Sequence, residues 1–299
     1  MPEDSSISVV NFGKLSKPAD TLIKKVSSAV GGIFAPWQKK RVAKAEAEAS
    51  LIKAKAEIEI TDLHRRAMHR FVEEEARRQE NMEAITERAL PKLESGSDAS
   101  KMEDDWVTNF FDSARIVSDS DMQELWARVL AGEANSPGTY SKRTVNFLSD
   151  LDKRDAELFS ALCSFGWLVG NFTPLVFDTR ASIYNDKGLN FSTLNHLDSI
   201  GLLQFNNISG FSRTELPKTF TVSYYGLPLT LTMANEKDNQ LSIGRVLLTQ
   251  VGLELASVCQ ALGVEGFVDY VKEKWKKHLP EDKGTEQQDA SADAPPSHG

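Results

Sequence analysis

Residues 104–133 read DDWVTNFFDSARIVSDSDMQELWARVLAGE, and this stretch decides the architecture. Asp104 and Asp105 stand ahead of WVTNFFDSARIV, where acids favour the positive end of a helix. Ser120 with Gln123 three residues on forms a capping-box pattern that opens a second helix. Met122, Leu125, Trp126, Val129 and Leu130 then fall on one inward face, and Gly132 is the predicted stop. The chain is therefore built around a block of short packed helices.

Downstream, Ser141 is a predicted N-cap for KRTVNFLSDL and Asp152 for DAELFSALCSFGW, so the helical block covers 104–168. After Gly170 the pattern changes. NFTPLVF, TFTVSYYG, LPLTLTM and SIGRVLLT are short and rich in β-branched and aromatic residues, which predicts strands. FSTLNHLDSIG between them reads as a helix capped by Ser192, with LLQF a short apolar stretch after it. Thr249 caps QVGLELASVCQALG, and VEGFVDYVKEKWKKHL ends in Lys272, Lys274, Lys276, Lys277 and His278, which suits a helix C-terminus. The expectation for 169–279 is a winged-helix-like α/β unit.

Upstream, residues 38–90 contain neither Gly nor Pro and are dominated by Ala, Glu, Lys and Arg. They predict one long helix, roughly 80 Å if continuous at ~1.5 Å per residue. Its stripe runs Ile52, Ala56, Ile60, Leu63, Ala67, Phe71 and resumes at Met82, Ile85, Ala89. The first part is thin in large apolar side chains, so the stripe suits pairing with another helix better than a core. Pro91 and LESGSDAS mark a linker over 91–103. Residues 1–17 form an expected flexible arm, 18–37 an amphipathic segment, and the acidic tail 280–299 is expected to be disordered. The fold class expected is mainly α with a small α+β C-terminal part.

The chain of 299 residues has a net charge of −8, unevenly placed. Residues 1–60 carry ten Lys/Arg against seven Asp/Glu, a net of +3, whereas 80–160 carry nine against seventeen. Affinity for an anionic surface must come from the N-terminal part. The first ten residues lack the basic start of a secretory signal, and no apolar run reaches ~20 residues, so a spanning helix is not expected. The two cysteines, Cys163 and Cys259, sit among apolar neighbours and read as separate small buried thiols. A reducing, cytoplasmic location follows, with attachment at the inner face of the membrane as a variant.

Motifs for chemistry are sparse. His64 and His69 are five apart, about 140° around a helix, and cannot share a metal as i,i+4 ligands could. There is no CxxC, HExxH or GxSxG, and Gly31–Gly32 and Gly263–Gly266 fit no phosphate-binding loop. Glu73–Glu75 reads as a solvated helix face and Asp104–Asp105 as a helix start rather than as paired catalytic carboxylates; a nuclease reading of Asp104, Asp105 and Glu124 lacks a supporting Lys. No Lys or Arg occurs between Gly188 and Ser212, around the would-be recognition helix, which disfavours DNA. No cofactor or metal is expected. The candidate membrane or partner surface is Leu22, Ile23, Val26, Ile33, Phe34 and Trp37 with the basic cluster Lys39, Lys40, Arg41 and Lys44. Its competing reading is a stripe packed on the protein's own body.

RRQENMEAI (77–85), the 104–133 stretch and PGTYSKRTVNFLSDLDKRDAELF (137–159) resemble the bacterial family called domain of unknown function 2806. GGIFAPWQKKRVAKAEAEA (31–49) is similar to that family's N-terminal part, so the resemblance covers about 20–279. It implies an accessory bacterial protein, permits a role in defence against phage or mobile DNA, and brings no catalytic residues to carry over.

The expectation is a non-enzymatic interaction protein that self-associates or docks a protein partner through its N-terminal helix and C-terminal unit. The alternatives are a membrane-active effector using 18–41, a winged-helix DNA regulator, and an enzyme built from residues distant in sequence.

Overall fold

The protein's structure, a computed structural model, describes residues 16–30 and 61–279. Helix α1 (Lys17–Ala29) starts where Ser16 accepts the Ala19 N–H and Pro18 occupies the first turn. Ala19, Leu22 and Val26, spaced three and four apart, are buried against the 3-10 turn Ala99–Lys101 and the helix that follows it. Lys25 adds an ion pair to Asp104 at 2.5 Å.

Helix α2 (Asp62–Ala89) begins at Thr61, whose backbone is extended (φ −57°, ψ 153°) and whose hydroxyl accepts the His64 N–H. The helix expected over 38–90 therefore has a capped start at Thr61; residues 38–60 lie outside the described ones. At its other end Pro91 falls in a 3-10 turn, Leu90–Lys92. The stretch expected as a linker, 91–103, sends two side chains into the core. Its second 3-10 turn buries Ala99, and Met102 is buried beside it.

The helical block comprises α3 (Asp104–Ala114), α4 (Ser120–Asn135), α5 (Lys142–Ser149) and α6 (Lys153–Cys163). Phe110 stacks edge-on against Trp126 at 5.0 Å and Phe111 at 5.1 Å, with Trp106 stacked above it. Two start signals are corrected. Asp119, not Ser120, caps α4, accepting the N–H groups of Asp121 and Met122. Gln123 is freed to reach sideways, donating to Asn81 Oδ1 and to the Val117 carbonyl. Gly132 does not end α4. It sits inside the helix and leaves room for the Tyr140 ring, whose Oη would lie 2.7 Å from an added Cβ.

The C-terminal half is a set of small antiparallel ladders among further short helices. Helix α6 stops at Cys163, so the GW expected at its end enters strand β1 (Gly166–Val169), paired with β2 (Asn171–Pro174). With β5 (Thr219–Tyr224) and β6 (Leu227–Thr232) they form a sheet in the order β2-β1-β5-β6. The β5–β6 turn needs positive φ at both Tyr225 and Gly226, the geometry that matches strand twist. SIGRVLLT splits at Arg245 into the end of β7 (Asn239–Gly244) and β8 (Val246–Leu248). Strand β7 pairs with β4 (Phe211–Leu216), and β8 with β3 (Leu203–Phe205). Helices α7 (Ser182–Asn185), α8 (Phe191–Ser199), α9 (Gln250–Ala256) and α10 (Phe267–Lys274) surround them. Asn190 and Thr193, not Ser192, cap α8 reciprocally.

The two halves share one core that runs from Leu22 to Trp275. Polar bonds knit the seam. Glu254 of α9 accepts the Ser141 N–H (2.8 Å) and the Thr144 hydroxyl (2.6 Å) at the start of α5. Arg128 donates to the Val258 carbonyl, and the Tyr140 and Ser257 hydroxyls meet at 2.9 Å.

Candidate functional site: the projecting face of helix α2

Helix α2 has two regimes. From Asn81 onward Met82, Ile85, Thr86 and Ala89 are buried against α4 and α3. From Thr61 to Arg77 every residue is exposed. The twenty steps from Thr61 to Asn81 carry the chain about 30 Å beyond the first buried turn, at ~1.5 Å per residue.

This projecting part is not polar all round. Leu63 is 65% exposed, Met68 52%, Phe71 60% and Val72 36%. Leu63, Ala67 and Phe71 recur every four residues, and Met68 and Val72 do so on a second row about 100° round, so exposed apolar side chains stand on two rows with charged ones between them. Ion pairs run beside and between these rows: Arg66–Asp62, Arg70–Glu74, Arg78–Glu74 and Arg78–Glu75, at 3.2–3.8 Å. Each such exposed pair contributes only tenths of a kcal/mol. A free helix of this length is marginal in water, and most helices in proteins are held by packing of an apolar face. Here those rows meet nothing among the described residues.

The surface expected at 18–44 is divided by the fold. Leu22 and Val26 are fully buried in the chain's own core, which corrects their assignment to an open surface. The body offered their spacing a complementary groove at Ala99 and α3. Ile23 is half-buried. Ile33, Phe34, Trp37, Lys39, Lys40, Arg41 and Lys44 lie outside the described residues.

Two carboxyls with shifted proton affinity hold backbone N–H groups at turns and caps. Burial pushes the Glu133 carboxyl up, while it accepts the N–H groups of Gly138 and Tyr140 in the loop after α4. Glu254 is also partly buried, yet the Thr144 hydroxyl and the Ser141 N–H hold it below its ordinary value. Among the described residues no three His, Cys, Asp or Glu side chains gather as a metal site. His64 bonds its own cap, Thr61, and His196 pairs with Asp155 at 2.8 Å. Two cavities of about 230 and 220 Å³ are below the usual size of a ligand pocket. No described helix is long and apolar enough to cross a membrane.

The break in burial along α2 was partly visible in sequence as the interruption of the stripe between Phe71 and Met82. The meeting of Cys163 with Cys259, 96 positions apart, carried no local signal.

Searches of curated proteins and of solved structures found no match. One family model, described as protein of unknown function (DUF2806), matches residues 65–272. The match begins on the projecting part of α2 and ends in α10, leaving the similar-looking segment 31–49 outside it. By that match, over more than two thirds of its length, this chain belongs to the DUF2806 family.

Proposed function

We propose that this chain is a non-enzymatic interaction protein that self-associates through the projecting face of α2. The observation that carries the reading is the exposure of Leu63, Met68, Phe71 and Val72 on the part of α2 that touches nothing else described. An apolar helix face without a partner favours association. The charge order favours a second copy of the same helix. Arg65, Arg66 and Arg70 occupy its first turns and Glu73, Glu74 and Glu75 the next ones. Antiparallel pairing about the region of Ala67–Phe71 sets each basic turn against an acidic turn, and a two-fold interface of this kind closes on itself.

The C-terminal unit is read as winged-helix-like and as a surface for a protein partner. In support, α8 leads into β3, which pairs with β8, and Phe191 at the start of α8 is 53% exposed. The absence of Lys and Arg from 189–211 leaves α8 without phosphate contacts of its own.

The test is sedimentation velocity of the full-length chain across a concentration series, beside Phe71→Glu and Leu63→Glu. The expected result is a dimer for the native chain and monomers for both variants, with unchanged far-UV circular dichroism of the body. A native chain that stays monomeric at every concentration overturns the proposal. If α2 amides are nevertheless protected from hydrogen exchange in that monomer, the face is covered within the chain itself. Dimers that survive both substitutions also overturn it.

A further inference from the structure

Cys163 and Cys259 are the chain's only cysteines. The fold brings them together: Cys163 closes α6, Cys259 follows α9, and both line the cavity of about 230 Å³ with Gly166, Phe172 and Tyr225. The two thiols are unequal. Cys163 is buried, whereas Cys259 is partly exposed and also borders the second cavity, beside Arg128 and Lys153. The neighbouring Cys163 thiol, the Ser160 hydroxyl and the Arg128 guanidinium, the last two lining the second cavity with Cys259, hold Cys259 below an ordinary thiol. The same contact and burial push Cys163 up. Arg128 is fixed in place by its bonds to the Val258 carbonyl at 2.8 Å and to Glu124 at 3.3 Å. A partly exposed cysteine beside a buried second thiol is the arrangement of a nucleophile with its resolving partner.

We propose that Cys259 and Cys163 form an oxidation site for small hydroperoxides, closing into an intramolecular disulfide. The Cys259 thiolate attacks the terminal peroxide oxygen. The O–O bond breaks, the leaving alkoxide or hydroxide takes a proton, and Cys259 becomes a sulfenic acid. The Cys163 sulfur then attacks the Cys259 sulfur and gives up its proton. Hydroxide leaves with that proton as water, and the S–S bond forms. Two thiols and one hydroperoxide give one disulfide, one alcohol (water, for hydrogen peroxide) and one water. The two electrons lost by sulfur reduce the O–O bond, and a dithiol reductant reverses the change. The new bond would clamp the end of α6 to the segment behind α9.

The experiment treats the full-length chain with one equivalent of hydrogen peroxide, blocks free thiols by alkylation, and maps peptides without reductant. The expected result is loss of two hydrogen atoms per chain, with the Cys163 and Cys259 peptides joined until dithiothreitol is added. In Cys163→Ser, Cys259 should be trapped by dimedone as a sulfenic acid; in Cys259→Ser, Cys163 should stay alkylatable once the chain is opened. Two thiols that remain free after peroxide overturn the proposal, as does Cys259 passing to sulfinic acid in the native chain without a cross-link. Should either variant fail to fold by circular dichroism, the native cross-link decides alone.

Discussion

Replacing Leu22 by Ala should detach α1 while leaving the rest of the chain folded. Helix α1 holds to the body chiefly through Ala19, Leu22 and Val26, helped by the Lys25–Asp104 pair. Leu22 is fully buried, and removing a buried leucine side chain costs about 2–5 kcal/mol, so ~3 kcal/mol is a central value. The main packing of α1 is on the 3-10 turn at Ala99 and on α3, so the loss falls on the local docking equilibrium. At ~1.4 kcal/mol per factor of ten, the amides of 17–29 should exchange about a hundredfold faster. Native-state hydrogen exchange read by mass spectrometry measures this. Lys24→Ala on the exposed side of α1 is the control, and it should change exchange less than threefold, since its pair with Asp20 is solvent-exposed. The reasoning is refuted if amides of α4 around Trp126 accelerate by the same factor, because α1 would then open only with the whole core. It is equally refuted if exchange in 17–29 does not change.

Tyr224→Phe should lower the melting temperature by about 4–10 °C in a calorimetric scan. The hydroxyl donates to the Ser164 carbonyl and accepts the Val264 N–H, both at 2.6 Å, and its loss strands two backbone groups at about 1–3 kcal/mol each if neither relaxes. Glu254 gives a pH signature. Its folded value lies below the ordinary 4.5, so its contribution is complete above pH 4.5 and is lost as pH falls through the lower folded value. Urea midpoints of the native chain and Glu254→Gln should therefore converge on acidification and differ above pH 5. In isolation at low concentration, amides of 62–77 should exchange far faster than those of 82–89, and dimerisation should slow them.

Local signals were legible where one residue type decides the geometry. Ser141 and Thr249 cap α5 and α9 through their hydroxyls as expected, and Met82, Ile85 and Ala89 point inward by spacing alone. At Asp119–Ser120 two adjacent residues could each cap; the carboxylate won because it accepts two N–H groups at once. Strand β4 escaped notice because Phe211–Leu216 is largely exposed and polar, and it is held by its ladder to β7 rather than by an apolar face. Strand β1 was read as helix because Gly166–Trp167 continues an apolar run; its partner β2 and the positive-φ Gly170 turn decide otherwise. The fate of Leu22 and Val26 was undecidable locally. An amphipathic stripe says that a face must be covered, and only the groove at Ala99 says by what.

Mechanically, α2 is a lever. Its grip, Asn81–Ala89, is about 13 Å long, and its exposed arm, Asp62–Arg77, about 24 Å, a leverage of about two. The fulcrum is the amide cluster in which Asn81 donates to the Arg115 carbonyl at 2.9 Å and Gln123 reaches back to Asn81 at 3.2 Å. A load applied at Leu63 becomes a torque on those two bonds and on the turn joining α3 to α4. A body seized at the tip of this arm feels the pull first at Asn81.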